Sequence, residues 1–179
     1  MKVINKYKLV MSRQGLIAYD KEKPITIRFN HKETIDIIKR NINFNKYDYF
    51  CEVAHLEISN TCNMDCSYCY VGGKIGKELS TDQWKIIIKN LSEAGIFQVS
   101  FGGGESTLRG DLFDLAAYVE YCGMNLGMTT NGILIPNMDA SSIKKYFKQV
   151  NISWHSNYNV VENALFYLDY DNIPCGINY

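Results

Sequence analysis

From residue 53 onward the chain alternates short apolar runs with amphipathic stretches, and this rhythm restricts the fold more than any other feature. The runs VAHLEIS (53–59), IFQVSF (96–101), MNLGMTT (124–130), QVNISW (149–154) and CGINY (175–179) have the length and the β-branched content of strands. Helical stretches separate them. Ser80 and Gln83 form a capping box ahead of TDQWKIIIKNLSEAG, whose Gly95 stands where a helix-ending glycine belongs. GDLFDLAAYVEYCG, DASSIKKYF and NVVENALFYLD read as three more helices. Regular alternation predicts an α/β fold: a parallel sheet with right-handed crossovers and its chemistry at the C-terminal strand ends. The alternating unit spans residues 51–179.

Residues 1–50 differ in character. YKLVM and LIAYD flank SRQG as a hairpin, and ITIRF after Pro24 reads as a third strand. A short helix follows, with Asn30 as N-cap, Glu33 at the capping-box position, and Ile35, Ile38 and Ile42 at helical spacing. This β-rich lead-in holds 11 Lys/Arg against 5 Asp/Glu, where the remaining residues hold 8 against 14, so the two parts carry balances of +6 and −6 in a chain of zero net charge. A lysine-rich solvated face explains the excess, and nothing in the pattern calls for nucleic acid. No apolar run approaches a membrane span, and the amino terminus lacks the h-region of a signal peptide, so a cytoplasmic protein is expected.

A reducing location turns the six cysteines away from disulfides and toward metal or redox chemistry. Three of them, Cys62, Cys66 and Cys69, fall within eight positions just after the first strand of the alternating region, with no fourth nearby. Structural zinc takes a closed set of four ligands, and Cys51, His55 and His155 have no paired spacing with which to complete one. Iron–sulfur clusters are held by thiolates, and three of these on a cubane leave one iron open to another ligand. A zinc module built on the same cysteines stays as the alternative. Cys51, Cys122 and Cys175 fit no metal spacing and read as buried small hydrophobes.

The loop Cys62-Asn63-Met64-Asp65-Cys66-Ser67-Tyr68-Cys69 resembles the CxxxCxΦC signature of the radical S-adenosylmethionine (radical SAM) superfamily, with Tyr68 at the aromatic position. EISNTCNMDCSYCY looks closest to the peptide-modifying branch, the SPASM-associated enzymes that include the sulfatase maturases. The resemblance implies a 4Fe-4S cluster on Cys62, Cys66 and Cys69, with S-adenosylmethionine on the open iron. It implies reductive cleavage to a 5′-deoxyadenosyl radical that abstracts hydrogen from a substrate, most naturally a peptide or protein side chain. A one-electron donor such as flavodoxin or ferredoxin is implied with it.

Further residues follow from the same likeness. FGGGES places Gly103, Gly104 and Glu105 at the family's GGE element, where the carboxylate at the cavity rim would bind the methionine ammonium; Ser106 stands where the family usually has proline. Asn131 of TTNG and Ser153 of NISWHS match cofactor-lining positions, Tyr68 packs near the adenine, and His155 occupies a position that is often aspartate in the peptide-modifying branch. The lead-in is expected to cap the barrel, with strand addition by a peptide as its other possible use. The resemblance implies a partial (β/α) parallel barrel over residues 51–179 that stops at about the fifth strand; the family core normally has six βα units, so a catalytically incomplete fragment is the remaining alternative.

Overall fold

The computed structural model describes residues 2–4, 7–12, 15–20, 26–29, 31–41, 53–71, 77–155 and 157–178. The anticipated Asn30 cap, Ile42, the turn residues 13 and 14, Pro24 and Cys51 lie outside them.

Residues 53–178 follow the anticipated alternation element for element. The strands β5 (Val53–Ser59), β6 (Gln98–Gly103), β7 (Asn125–Thr130), β8 (Phe147–Ser153) and β9 (Cys175–Asn178) form a parallel sheet in sequential order. Helices α2 (Thr81–Glu93), α3 (Leu112–Tyr121), α4 (Ala140–Tyr146) and α5 (Tyr158–Tyr170) make the crossovers. The capping box opening α2 is present in both directions: Ser80 N–H donates to Gln83 Oε1 at 2.9 Å, and Gln83 N–H to Ser80 Oγ at 3.3 Å. Gly95 follows the helix with φ +97°, a left-handed conformation that glycine adopts without a Cβ penalty.

The sheet is two-faced. Leu56, Ile58, Val99, Phe101, Leu126, Met128, Val150 and Ile152 are buried and pack with Ile88, Leu115, Ile143 and Leu168 of the helices into one continuous core. The alternate positions are small or polar. His55, Ser100, Gly127 and Gln149 lie side by side across four strands, and Thr129, Asn151 and Gly176 form a second row nearer the C-terminal ends. Most parallel sheets are apolar on both faces. Here one face buries hydrocarbon against helices, while the other leaves hydrogen-bonding groups on the wall of a cavity.

Among its described residues the lead-in contains four strands where three were expected: β1 (Lys2–Ile4), β2 (Tyr7–Ser12), β3 (Gly15–Asp20) and β4 (Thr26–Phe29) pair antiparallel in that order, followed by α1 (Lys32–Asn41). Leu9, Leu16 and Ala18 form their own small cluster, joined by Phe29, Ile35 and Ile38. Asn125 Nδ2, at the start of β7, donates to the Asp20 carbonyl at 3.4 Å. That bond touches the end of β7 opposite the one that bears Thr130 and the cavity. No described helix is long and apolar enough to cross a membrane.

Candidate cofactor site

Beyond Ser59 the chain leaves the sheet as an irregular loop carrying the three cysteines. The loop that follows β6 holds its first residues. Gly104 N–H donates to Ser59 O at 2.6 Å and Glu105 N–H to Thr61 O at 2.7 Å, so backbone groups freed at the end of the β5–β6 ladder find partners in the neighbouring loop. The ladder itself shifts register between Glu57 and Ser59. A Cβ at Gly103 would overlap the Ser59 carbonyl oxygen, and one at Gly104 the Thr61 carbonyl oxygen; Gly103 also has φ +115°. These two glycines therefore serve the seam between two loops. Gly102, one residue earlier, has no heavy atom within 4 Å of where its Cβ would stand.

Within the cysteine loop Cys69 N–H donates to Cys66 O at 3.0 Å, and Met64 N–H points to Cys62 Sγ at 3.4 Å. Cys62 and Cys66 are half-buried, Cys69 is exposed, and all three are free thiols. Cys122 and Cys175 are half-buried, less enclosed than the sequence implied.

Glu105 lies beneath the site, 1% exposed, and not at its rim. Its Oε1 accepts from Thr107 N–H at 3.0 Å, Thr107 Oγ1 at 2.6 Å and Thr130 Oγ1 at 2.7 Å, while Oε2 accepts Asn131 N–H at 2.7 Å. A carboxylate offers about four acceptor positions. Oε1 is filled, and Oε2 keeps capacity for one more donor. Asn131 ties the end of β7 to the cysteine loop through Nδ2, which donates to Asn63 Oδ1 at 2.7 Å. From the end of β8, His155 reaches across: its Nδ1 stands 3.0 Å from Tyr68 Oη and 3.7 Å from Cys66 Sγ, and the two rings stack 6.2 Å apart. Desolvation first, and then the nearby Glu57 and Cys69, push the Tyr70 phenol above its ordinary range.

Cys62, Cys66, Tyr68, Cys69, Gly103, Gly104, Glu105, Asn131, Ser153 and His155 all line one cavity of about 710 Å³. That volume is at the scale of cofactor and small-ligand sites. Among the described residues no three His, Cys, Asp or Glu side chains stand together as a site for a metal ion. Three thiols spread around one cavity fit a thiolate-held polynuclear cluster, whose ligands stand at separate corners, better than a closed zinc site.

Three neighbours escaped the sequence reading. Glu78 Oε1 accepts Asn60 N–H at 2.8 Å and Ser59 Oγ at 3.0 Å, and these hydrogen bonds hold its carboxyl below the usual range. Arg109, with its side chain only 8% exposed, grips Asp111 through two bonds of 2.7 and 2.8 Å and donates to Ile58 O at 2.6 Å. Arg-Gly-Asp just ahead of a helix reads as a solvated turn, and nothing local announces that it sits under β5.

A parallel α/β sheet with three thiols on the loop after its first strand, and a buried carboxylate after its second, defines a cofactor-dependent class of protein. The Radical SAM superfamily model matches residues 56–169, and the chain belongs to that family, whose members use a 4Fe-4S cluster and S-adenosylmethionine. Among curated relatives, the PqqA peptide cyclase of Bradyrhizobium diazoefficiens is 39% identical over 83 residues, covering 45% of this chain and 22% of that protein. A probable GTP 3′,8-cyclase of Thermoplasma volcanium is 32% identical over 104 residues, 56% of this chain and 32% of that protein. Among solved structures, Streptococcus suis SuiB bound to S-adenosylmethionine superposes with a TM-score of 0.73 at 17% identity, covering 99% of this chain and 56% of that one. The chain thus spans a third or less of these two curated relatives and just over half of the structural one.

Two substitutions test the local energetics. Ser106 is fully buried and its hydroxyl has no partner among the described residues, so Ser106→Ala should stabilise the fold by about 1 kcal/mol. Urea denaturation would show this as a raised midpoint at constant slope. The Arg109 guanidinium holds the Asp111 carboxyl down to about 2. The stability this supplies is complete above the ordinary pKa of 3.8 and is lost as pH falls toward 2. Asp111→Asn should therefore be less stable than the parent at pH 6 and should show a flatter loss of stability between pH 5 and pH 2, measured by denaturant titration at each pH.

Proposed function

We propose that this chain is the catalytic core of a radical SAM enzyme acting on a peptide or protein side chain. The observation that carries the reading is the convergence of Cys62, Cys66 and Cys69 on the same cavity as the buried Glu105 carboxylate. Cys62, Cys66 and Cys69 would hold the 4Fe-4S cluster, with the Met64 N–H placed to donate to the Cys62 sulfur. When bound, the cluster and S-adenosylmethionine supply one-electron chemistry that ends in hydrogen abstraction from a substrate, with flavodoxin or ferredoxin as the natural class of electron donor.

The chain's own residues bind and orient. Glu105 Oε2 retains an acceptor position for an ammonium, and its other bonds to Thr107, Thr130 and Asn131 prevent it from turning away. Gly103 and Gly104 keep the loop after β6 close against the cysteine loop, and Asn131 closes a second link to it. Ser153, His155 and Tyr68 line the same cavity, with His155 and Tyr68 beside Cys66, and such short polar and aromatic groups suit a ribose and a purine. The substrate class is supported by similarity to a peptide cyclase and by the fold shared with SuiB, which is also seen bound to a precursor peptide, SuiA. Residues 1–50 are read as a cap, and the Asn125–Asp20 bond supports that reading.

Anaerobic reconstitution should give about four irons and four sulfides per chain, because three thiolates hold one cubane. With dithionite and S-adenosylmethionine the protein should release 5′-deoxyadenosine, which separates an active core from one that binds its cofactors without turnover. Changing Cys62, Cys66 or Cys69 to alanine should remove the iron, and Cys122→Ala should leave it; zinc in place of iron in the parent would refute the reading. Glu105→Gln should keep the cluster and weaken S-adenosylmethionine binding by about 1.5–3 kcal/mol, followed by anaerobic calorimetry. Unchanged affinity would take Glu105 out of the cofactor site.

A further inference from the structure

The four residues 58–61 deliver Cys62 to the cavity, and they are held from two sides. One side is the seam with the loop after β6, where Ser59 O and Thr61 O accept from Gly104 and Glu105. The other side consists of two charged side chains from farther along the same two connections, Glu78 just ahead of α2 and Arg109 just ahead of α3. Glu78 Oε1 accepts Asn60 N–H at 2.8 Å, Ser59 Oγ at 3.0 Å, and Thr61 N–H and Oγ1 at 3.3 Å each. Arg109 Nη1 donates to Ile58 O at 2.6 Å and also reaches Leu79 O, the residue after Glu78, at 3.3 Å. The guanidinium is itself pinned by Asp111, whose Oδ2 also accepts from Thr81 Oγ1 at 2.5 Å.

We infer that Glu78 and Arg109 are positioning residues for the cluster: they set the backbone of residues 58–61 and so the place at which Cys62 presents its sulfur. The inference rests on the cluster reading above and deepens it. Neither residue lines the cavity. They work through the chain. A backbone with its N–H and C=O groups committed on both sides has little freedom to rotate, and a thiol attached one residue further along inherits that restriction. Outer partners that orient metal ligands typically change metal affinity about 10–100-fold when removed.

One detail makes the role of Glu78 separable from that of its charge. All four donors go to the same oxygen, Oε1, while Oε2 stands 3.9 Å from Arg109. An amide oxygen can replace Oε1, so Glu78→Gln should keep the loop in place where Glu78→Ala releases it. Loss of negative charge alone would not predict that difference, because both variants remove the charge.

The experiment uses the full chain and two readouts. In cluster-free protein, hydrogen exchange at Asn60 and Thr61 and alkylation of Cys62 by iodoacetamide, both followed by mass spectrometry, should be faster in Glu78→Ala and near the parental rates in Glu78→Gln. In reconstituted protein, Glu78→Ala should give up iron to a chelator about 10-fold faster or more, with an altered electron paramagnetic resonance spectrum of the reduced cluster, and Glu78→Gln should restore both. Arg109→Lys, which keeps the charge but loses the paired grip on Asp111, should be intermediate. The inference is overturned if exchange and alkylation are unchanged in Glu78→Ala, if they rise while iron retention stays parental, or if Glu78→Gln is as impaired as Glu78→Ala. Failure of the parent to take up iron is a separate result: it refutes the cluster reading, and it is seen before any variant is compared.

Discussion

Backbone lying directly on backbone, at the point where β5 and β6 end, is the contact on which the site depends. Gly103 and Gly104 approach Ser59 and Thr61 so closely that no side chain fits between, and two N–H groups of the β6 loop bond to carbonyls that β5 has left without ladder partners. A parallel ladder cannot continue past its last residue, and its freed groups must find new acceptors or face water. Here they find each other. The bonds join the loop that bears the thiols to the loop that bears Glu105, so the two pieces of chemistry share one frame and do not move independently.

The asymmetry of the sheet accounts for the rest. Its helix face is filled by branched and aromatic side chains that are almost wholly buried, Val99, Phe101, Met128 and Ile152 among them, and this face carries the stability. Relieved of that duty, the opposite face can present His55, Ser100, Gln149, Thr129 and Asn151, none of which a tightly filled barrel interior would accommodate. Polar contacts gather at the C-terminal strand ends, where short bonds join Glu105, Thr130, Asn131 and Asn63, and Tyr68 meets His155.

Much of this was legible in the sequence because the decisive signals are local. Strand and helix periods, the Ser80–Gln83 box and Gly95 each depend on residues within a few positions, and each is realised in the structure. The thiol loop was legible for the same reason, its spacing being its own evidence. Failures came where meaning depends on distance along the chain. Glu105 was placed at a rim because the bond that helps to bury it comes from Thr130, 25 residues away; Arg109 was passed over because its partner Ile58 is 51 residues away. The strand β1, three residues long, is too short to show a period at all. The glycine run is legible in the sequence, but its fit against the Ser59 and Thr61 carbonyls is not, because those partners lie far back in the chain.

That run of glycines divides unequally. Gly103 and Gly104 are locked, the first by conformation and contact and the second by contact, and any replacement would have to push the cysteine loop aside. Gly102 has open space where a side chain would begin, and it faces the cavity. The three positions are adjacent in sequence, yet only the first can vary without cost to the frame. The depth of the chamber can therefore be reset by one residue, leaving the thiols, the carboxylate and the seam that joins them untouched.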